Sequence, residues 1–156
     1  MSVAELSVRP ATAVDESAAL DLIEELFEPP GIRPDDYSRE RAQVGFQRYV
    51  EDKSGDMLLA EADGALVGLA SVYVDIPSIR FGTRCWLEDL VVTSAHRSTG
   101  VGRRLLAAAT DWARERGCTH LELDSGNDRK DAHRFYLAQG MERQSLVFHL
   151  PIASAE

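Results

Sequence analysis

RCWLEDLVVTSAHRSTGVGRRLLAAATDWARERG, residues 84–117, is a strand, a turn and a helix in one continuous run. Arg84–Val92 has the apolar, β-branched character of a strand, yet it carries Glu88 and Asp89 at its middle, where acids are disfavoured. From Val101 onward, Val101, Leu105, Ala108, Ala109 and Trp112 recur at helical spacing, and Gly117 ends the pattern. The join is Arg97-Ser98-Thr99-Gly100-Val101-Gly102. A helix that begins there leaves its first backbone N–H groups unpaired and carries about half a positive charge at that end. Glycines let an anion approach those amides closely. Arg97, Arg103 and Arg104 add charge, and Thr93–Thr110 contains no acid. The segment is therefore suited to cradle a pyrophosphate. It lacks the Lys-Ser/Thr of a nucleotide P-loop and the third glycine of a dinucleotide fingerprint.

Working outward, the alternation at Leu6 and Val8 predicts a strand over Glu5–Arg9. Thr12-Ala-Val-Asp15 has the form of a capping box, and Ala19, Leu22, Ile23, Leu26 and Phe27 follow as a helix that Pro29-Pro30-Gly31 stops. A second helix is predicted from about Asp36 to Val50, with Ala42, Phe46, Tyr49 and Val50 on its apolar face. Met57–Ala62 and Leu66–Asp75 read as two strands joined by the hairpin turn Asp63-Gly64. After the long helix come a strand over Thr119–Asp124, a loop at Ser125-Gly126-Asn127, and a helix ending at Gln139-Gly140. Leu146, Phe148 and Leu150 alternate as in a closing strand. There is no internal repeat and no linker, so residues 1–156 are expected to form one α+β domain with a largely antiparallel sheet.

Composition narrows the class. The 156 residues are 44% hydrophobic and 28% charged, which excludes disordered, collagen-like and rod-like chains. No apolar run approaches the roughly 20 residues that cross a membrane, and the first residues do not resemble a secretion signal. Two cysteines, Cys85 and Cys118, do not make a disulfide framework, so reduced thiols in a cytoplasmic protein are expected. A net charge of −9 argues against nucleic acid as partner. The excess is concentrated: residues 1–60 carry 13 acids against 6 bases, which suggests a cationic ligand distinct from the anion of the turn. The histidines and cysteines show no metal-ligand spacing, so no metal is expected. Trp86 and Trp112 are expected in the core.

An Arg-x-x-Gly-x-Gly match arises by chance at ~0.07 per chain of this length, so it needs a second signature. One lies downstream, where NDRKDAHRFYLAQGM contains Asn127, Ala132, Phe135, Tyr136 and Gly140. Together the two segments resemble the acyl-CoA signature and the Asn…Ala…Phe-Tyr-x-x-x-Gly segment of the GCN5-related N-acetyltransferase (GNAT) superfamily. The order of elements agrees over nearly the whole chain. The family closes on two strands, whereas Glu142–Leu150 is short for both. The resemblance implies a mixed, mostly antiparallel sheet of six or seven strands flanked by about four helices, with central strands splayed to hold acyl-CoA. It implies acetyl-CoA as co-substrate. The pantetheine arm would lie on backbone groups near Leu90, Val91 and Val92. The pyrophosphate would lie on the amides of Arg97, Ser98, Thr99, Gly100, Val101, Gly102 and Arg103, with Asn127 beside the arm.

The implied reaction moves acetyl to a primary amine by direct transfer in a ternary complex. A primary amine titrates near ~10.4, so only about one molecule in a few thousand is a free nucleophile at pH 7. A carboxylate can take the proton. Strict alternation puts Glu88 with Trp86 and Leu90, and Asp89 with Leu87 and Val91, on opposite faces unless the strand bulges. Either acid could be the base. The resemblance to polyamine acetyltransferases, which carry a similar Leu-Glu-Asp stretch, implies Glu88 as base and Asp89 as acceptor contact. It also implies Tyr136 as the acid that protonates the departing thiolate. The acidic first third points to a small cationic acceptor, polyamine-like or aminoglycoside-like, and a basic peptide or protein amine fits the same charge. A non-catalytic acyl-CoA sensor on the same fold is the reading from another class. No membrane partner is expected, and the resemblance allows a homodimer.

Overall fold

The structure, a computed structural model, describes residues 5–153. Two compact units divide at Leu123 and Asp124. The first contains a five-stranded sheet in the order β1-β2-β3-β4-β5, formed by β1 (Leu6–Pro10), β2 (Gly55–Ala62), β3 (Ala65–Val74), β4 (Arg84–Val92) and β5 (His120–Glu122). The first four strands are antiparallel to their neighbours and β5 is parallel to β4. Asp63 and Gly64 take φ of 52° and 79° at the β2–β3 turn, the left-handed pair that a two-residue hairpin needs.

Three helices cover the two faces. Helices α1 (Glu16–Glu24) and α2 (Arg39–Glu51) pack on one. Their Ala19, Leu20, Leu22 and Phe46 form a core with Met57, Leu59, Leu69 and Val91 of the sheet, and Tyr49 packs against it. Asp15 accepts the Thr12 backbone N–H at 2.8 Å ahead of α1, and Ser38 Oγ accepts the Arg41 N–H at 3.1 Å at the start of α2. Helix α3 (Val101–Glu115) covers the opposite face. It lies so close to β3 at Gly68 that a Cβ there would be 3.1 Å from Val101 Cγ1, 3.0 Å from Leu105 Cδ1 and 2.9 Å from the Val91 carbonyl oxygen. Gly68 is the close approach that seats α3 on the sheet.

The second unit holds α4 (Lys130–Ala138). Gly140 follows it with φ of 90°, and the Met141 N–H donates to the Tyr136 carbonyl at 3.1 Å. Residues 141–153 form neither helix nor strand. The closing strand expected at Leu146–Leu150 is therefore absent among the described residues, and the sheet has five strands rather than six or seven. Alternation marks out a face, but a strand also needs a neighbouring edge for its N–H and C=O groups. Leu146, Phe148 and Leu150 stand exposed.

Candidate active site

Strand β4 departs from strict alternation where its acids lie. Its ladder with β3 runs Tyr73–Trp86, Val72–Leu87, then Ser71–Asp89, so Glu88 is an extra residue opposite no partner. This is a β-bulge, and it shifts everything after it by one position. Asp89 now shares a face with Trp86, Ser71 and Tyr73, the face covered by α1 and α2, while Leu90 passes to the α3 face. Simple alternation had Asp89 with Leu87. Glu88 also turns towards the first of these faces, because its Oε2 accepts the Trp86 Nε1–H at 2.6 Å. One added residue thus brings two consecutive carboxylates to the same side of the sheet.

The surroundings of the two acids differ. Glu88 is exposed, whereas Asp89 is half-buried. Asp89 Oδ2 accepts the Ser71 hydroxyl at 3.0 Å, and the Asp89 backbone N–H donates to Ser71 Oγ at 3.0 Å. Ser71 is fully buried. Tyr49 of α2 shares a hydrogen bond with Ser71. Burial holds the Tyr49 hydroxyl well above the ordinary tyrosine range, and the charges of Asp89 and Glu88 push it the same way. Tyr49 therefore stays a neutral hydroxyl beside both carboxylates. Trp86, expected in the core, is only half-buried, and its indole N–H reaches the exposed Glu88; Trp112 is the core tryptophan.

Beyond Trp86, β4 has no ladder with β5. Its parallel ladder with β5 ends at Trp86–Glu122, while β4 continues to Val92. From Leu87 to Val92 the strand therefore runs on past its β5 ladder, with the Val91 side chain buried beneath. The chain then makes a short 3-10 turn at Ser94–His96 and enters α3 through Gly100, which caps it at φ of 92°. The first intrahelical bond is Arg104 N–H to the Gly100 carbonyl at 3.1 Å, so the amides of Val101, Gly102 and Arg103 have no partner within the helix. Ser98 also takes a left-handed φ, 61°, which no sequence signal marked.

Side chains from two places in the chain hold this turn. Arg97 Nε donates to the Val92 carbonyl at 3.2 Å, fastening the turn to the end of β4. Glu25 brings a carboxylate to its start, where it accepts the Thr93 hydroxyl and the Ser94 N–H, both at 3.3 Å. Arg103 and Arg104 stay exposed on the first turn of α3. The Val101 side chain is core, so its N–H is the one polar donor it has at the helix start.

Asn127 and Tyr136 belong to the second unit, in the loop before α4 and on α4 itself. Tyr136 is half-buried, its ring lies 5.4 Å from that of Phe135, and burial raises its hydroxyl above the ordinary range. Cys85 is buried, its thiol pushed up to about 12 by burial, so it stays protonated and inert.

Residues 19–141 match the model of the acetyltransferase (GNAT) family. The chain belongs to that family. Among its GNAT relatives is an aminoalkylphosphonate N-acetyltransferase of Salmonella typhimurium, 30% identical over 148 residues, 95% of this chain and 91% of that protein. Another is an aminoglycoside N(6')-acetyltransferase type 1 of Stenotrophomonas maltophilia, 36% identical over 108 residues, 65% of this chain and 70% of the other. A solved aminoglycoside N-acetyltransferase in complex with CoA superposes with a TM-score of 0.82 at 18% identity, over 96% of this chain and 95% of that one. This GNAT chain is an acyl-CoA-dependent N-acetyltransferase that transfers acetyl to amines. Its own geometry fits the co-substrate. The left-handed Gly100 has no atom within 4 Å of where a Cβ would stand, three amides after it have no partner within the helix, as an anion site needs, and β4 runs on past its β5 ladder.

Proposed function

We propose that this enzyme acetylates a small cationic primary amine by direct transfer from acetyl-CoA in a ternary complex, with Glu88 as the base. The observation that carries the reading is the bulge, which turns Glu88 and Asp89 to one side of β4. Asp89, braced by Ser71, attracts the acceptor's ammonium. Glu88, exposed and with Oε1 open, takes one of its protons. The freed amine attacks the thioester carbonyl, a C–N bond forms, the C–S bond breaks, and the sulfur leaves as a thiolate. The resemblance assigns to Tyr136, whose hydroxyl burial raises above the ordinary range, the proton that makes the thiolate a thiol. On the co-substrate side, the amides of Val101, Gly102 and Arg103 hold the pyrophosphate with the cations of Arg103 and Arg104, and the backbone of Leu90–Val92 holds the pantetheine arm. Arg97 fastens the turn through its Nε, and its other guanidinium N–H groups and its backbone amide remain to meet the phosphates.

The acceptor class rests on the paired carboxylates and on the aminoglycoside enzyme among the relatives. The aminoalkylphosphonate enzyme, aligned over 95% of this chain, supports a second reading in which the acceptor carries an anion. A panel of polyamines, aminoglycosides, aminoalkylphosphonates and basic peptides, each with acetyl-CoA and read by thiol release, tests the two. Polyamines or aminoglycosides should react fastest. Turnover confined to phosphonate- or carboxylate-bearing amines overturns the cationic acceptor. Acetyl-CoA binding with no thiol release from any amine overturns catalysis at this site.

A further inference from the structure

The bulge leaves Glu88 exposed and without a backbone partner across the ladder, so something else must fix where its carboxylate points. A Glu side chain has three torsions, and an unrestrained one samples many positions. The structure assigns that task to Trp86: its indole N–H positions the Glu88 carboxylate for proton transfer. This rests on the reading of Glu88 as the base.

Trp86 is two residues before Glu88 on the same face, and its Nε1 donates to Oε2 at 2.6 Å. An indole N–H can only donate, and a carboxylate oxygen accepts. With Oε2 held, Oε1 is the oxygen left to meet an amine. The indole is itself braced. Arg84, again two residues earlier, places its guanidinium 4.9 Å from the ring centroid. Arg84 in turn is fixed by Asp75 and by Glu122 Oε2 at 3.0 Å. The β4–β5 ladder covers Arg84, Cys85 and Trp86 and stops there. The β5 ladder thus ends at the residue that holds Glu88. A tryptophan that served only the core would be buried and would not spend its N–H on an exposed acid.

Trp86→Phe keeps an aromatic ring for Arg84 and removes the donor. Substituting β-(3-benzothienyl)alanine at position 86 keeps the bicyclic shape and replaces the N–H by sulfur, which covers the case in which Trp86→Phe folds poorly. kcat/KM for the best amine is measured for wild type, each position-86 variant, Glu88→Gln, and the double variants, with acetyl-CoA affinity by calorimetry. Both position-86 variants should lose about tenfold in kcat/KM, mostly in kcat, with acetyl-CoA affinity unchanged. In the Glu88→Gln background the same substitutions should change the rate by less than twofold, because the group they position no longer accepts a proton. An equal loss in both backgrounds overturns the positioning role and leaves Glu88 as base. Wild-type rates for Glu88→Gln alone overturn the base, and the role of Trp86 with it.

Discussion

Gly68→Ala should separate α3 from the sheet. The added Cβ would stand 2.9 Å from the Val91 carbonyl oxygen, 3.0 Å from Leu105 Cδ1 and 3.1 Å from Val101 Cγ1. Leu105 can yield by rotating, but the Val91 oxygen is backbone in the middle of the sheet, and Val101 is the first residue of α3. Overpacking of this kind costs about 1–3 kcal/mol. In a chain of this size each kcal/mol moves the melting temperature by roughly 2–4 °C, so a fall of about 2–12 °C is expected. The displacement acts on the helix start whose amides are proposed to hold the pyrophosphate, so on that proposal acetyl-CoA affinity should fall as well. Gly45, which has no atom within 4 Å of a Cβ, provides the control: Gly45→Ala should leave both quantities intact or raise stability. Thermal unfolding and calorimetry on the two variants decide. A melting temperature for Gly68→Ala within 1 °C of wild type would refute the close seating of α3.

Three further outcomes follow from the same geometry. Gly100→Asp meets no atom within 4 Å, so it should fold with a left-handed strain of about 1–2 kcal/mol yet bind acetyl-CoA at least roughly tenfold more weakly; affinity within twofold of wild type by calorimetry removes the phosphate-turn reading. Tyr136→Phe should bind acetyl-CoA normally and lose roughly 10²–10⁴ in kcat, whereas a purely structural tyrosine would lower the melting temperature and spare kcat. Asp15, buried and bonded to Arg9 at 2.8 Å, has its carboxyl held well below the usual range by that guanidinium, so its stabilisation is present above about pH 4 and fades as pH falls below it. Asp15→Asn should therefore cost about 2 kcal/mol at pH 7 and much less at pH 2.5, and an equal difference in unfolding free energy at both pH values contradicts this.

Much of this was legible because it is local. The hairpin at Asp63-Gly64, the strand Arg84–Val92 and the helix after Gly100 all follow from turn residues and apolar spacing. The site was legible only as a set of residue types. Alternation gives each residue of β4 a face, but it cannot reveal Glu88 as an extra residue, because a bulge is defined by the partner strand and β3 comes from elsewhere in the chain. For the same reason Tyr49 read as core and Ser71 as an ordinary strand residue, although the fold brings both to Asp89. The spacing of Trp86 and Glu88 was visible, but the hydrogen bond between them depends on side-chain rotamers that spacing does not specify. Charge counting also overstated the free acidity of the first third. Asp15 and Glu61 share Arg9, Asp21 and Glu24 share Arg39, and Asp36 faces Arg41.

The pH dependence of Glu88→Gln tests most directly whether the bulge delivers a catalytic base. The amide keeps the side chain's shape but cannot accept the amine's proton. With the best amine of the panel and saturating acetyl-CoA, the variant should be strongly impaired at pH 7 and recover much of its rate at pH 9.5, where free amine is present without a base. A deficit of the same size at both pH values would show that Glu88 does not take the proton.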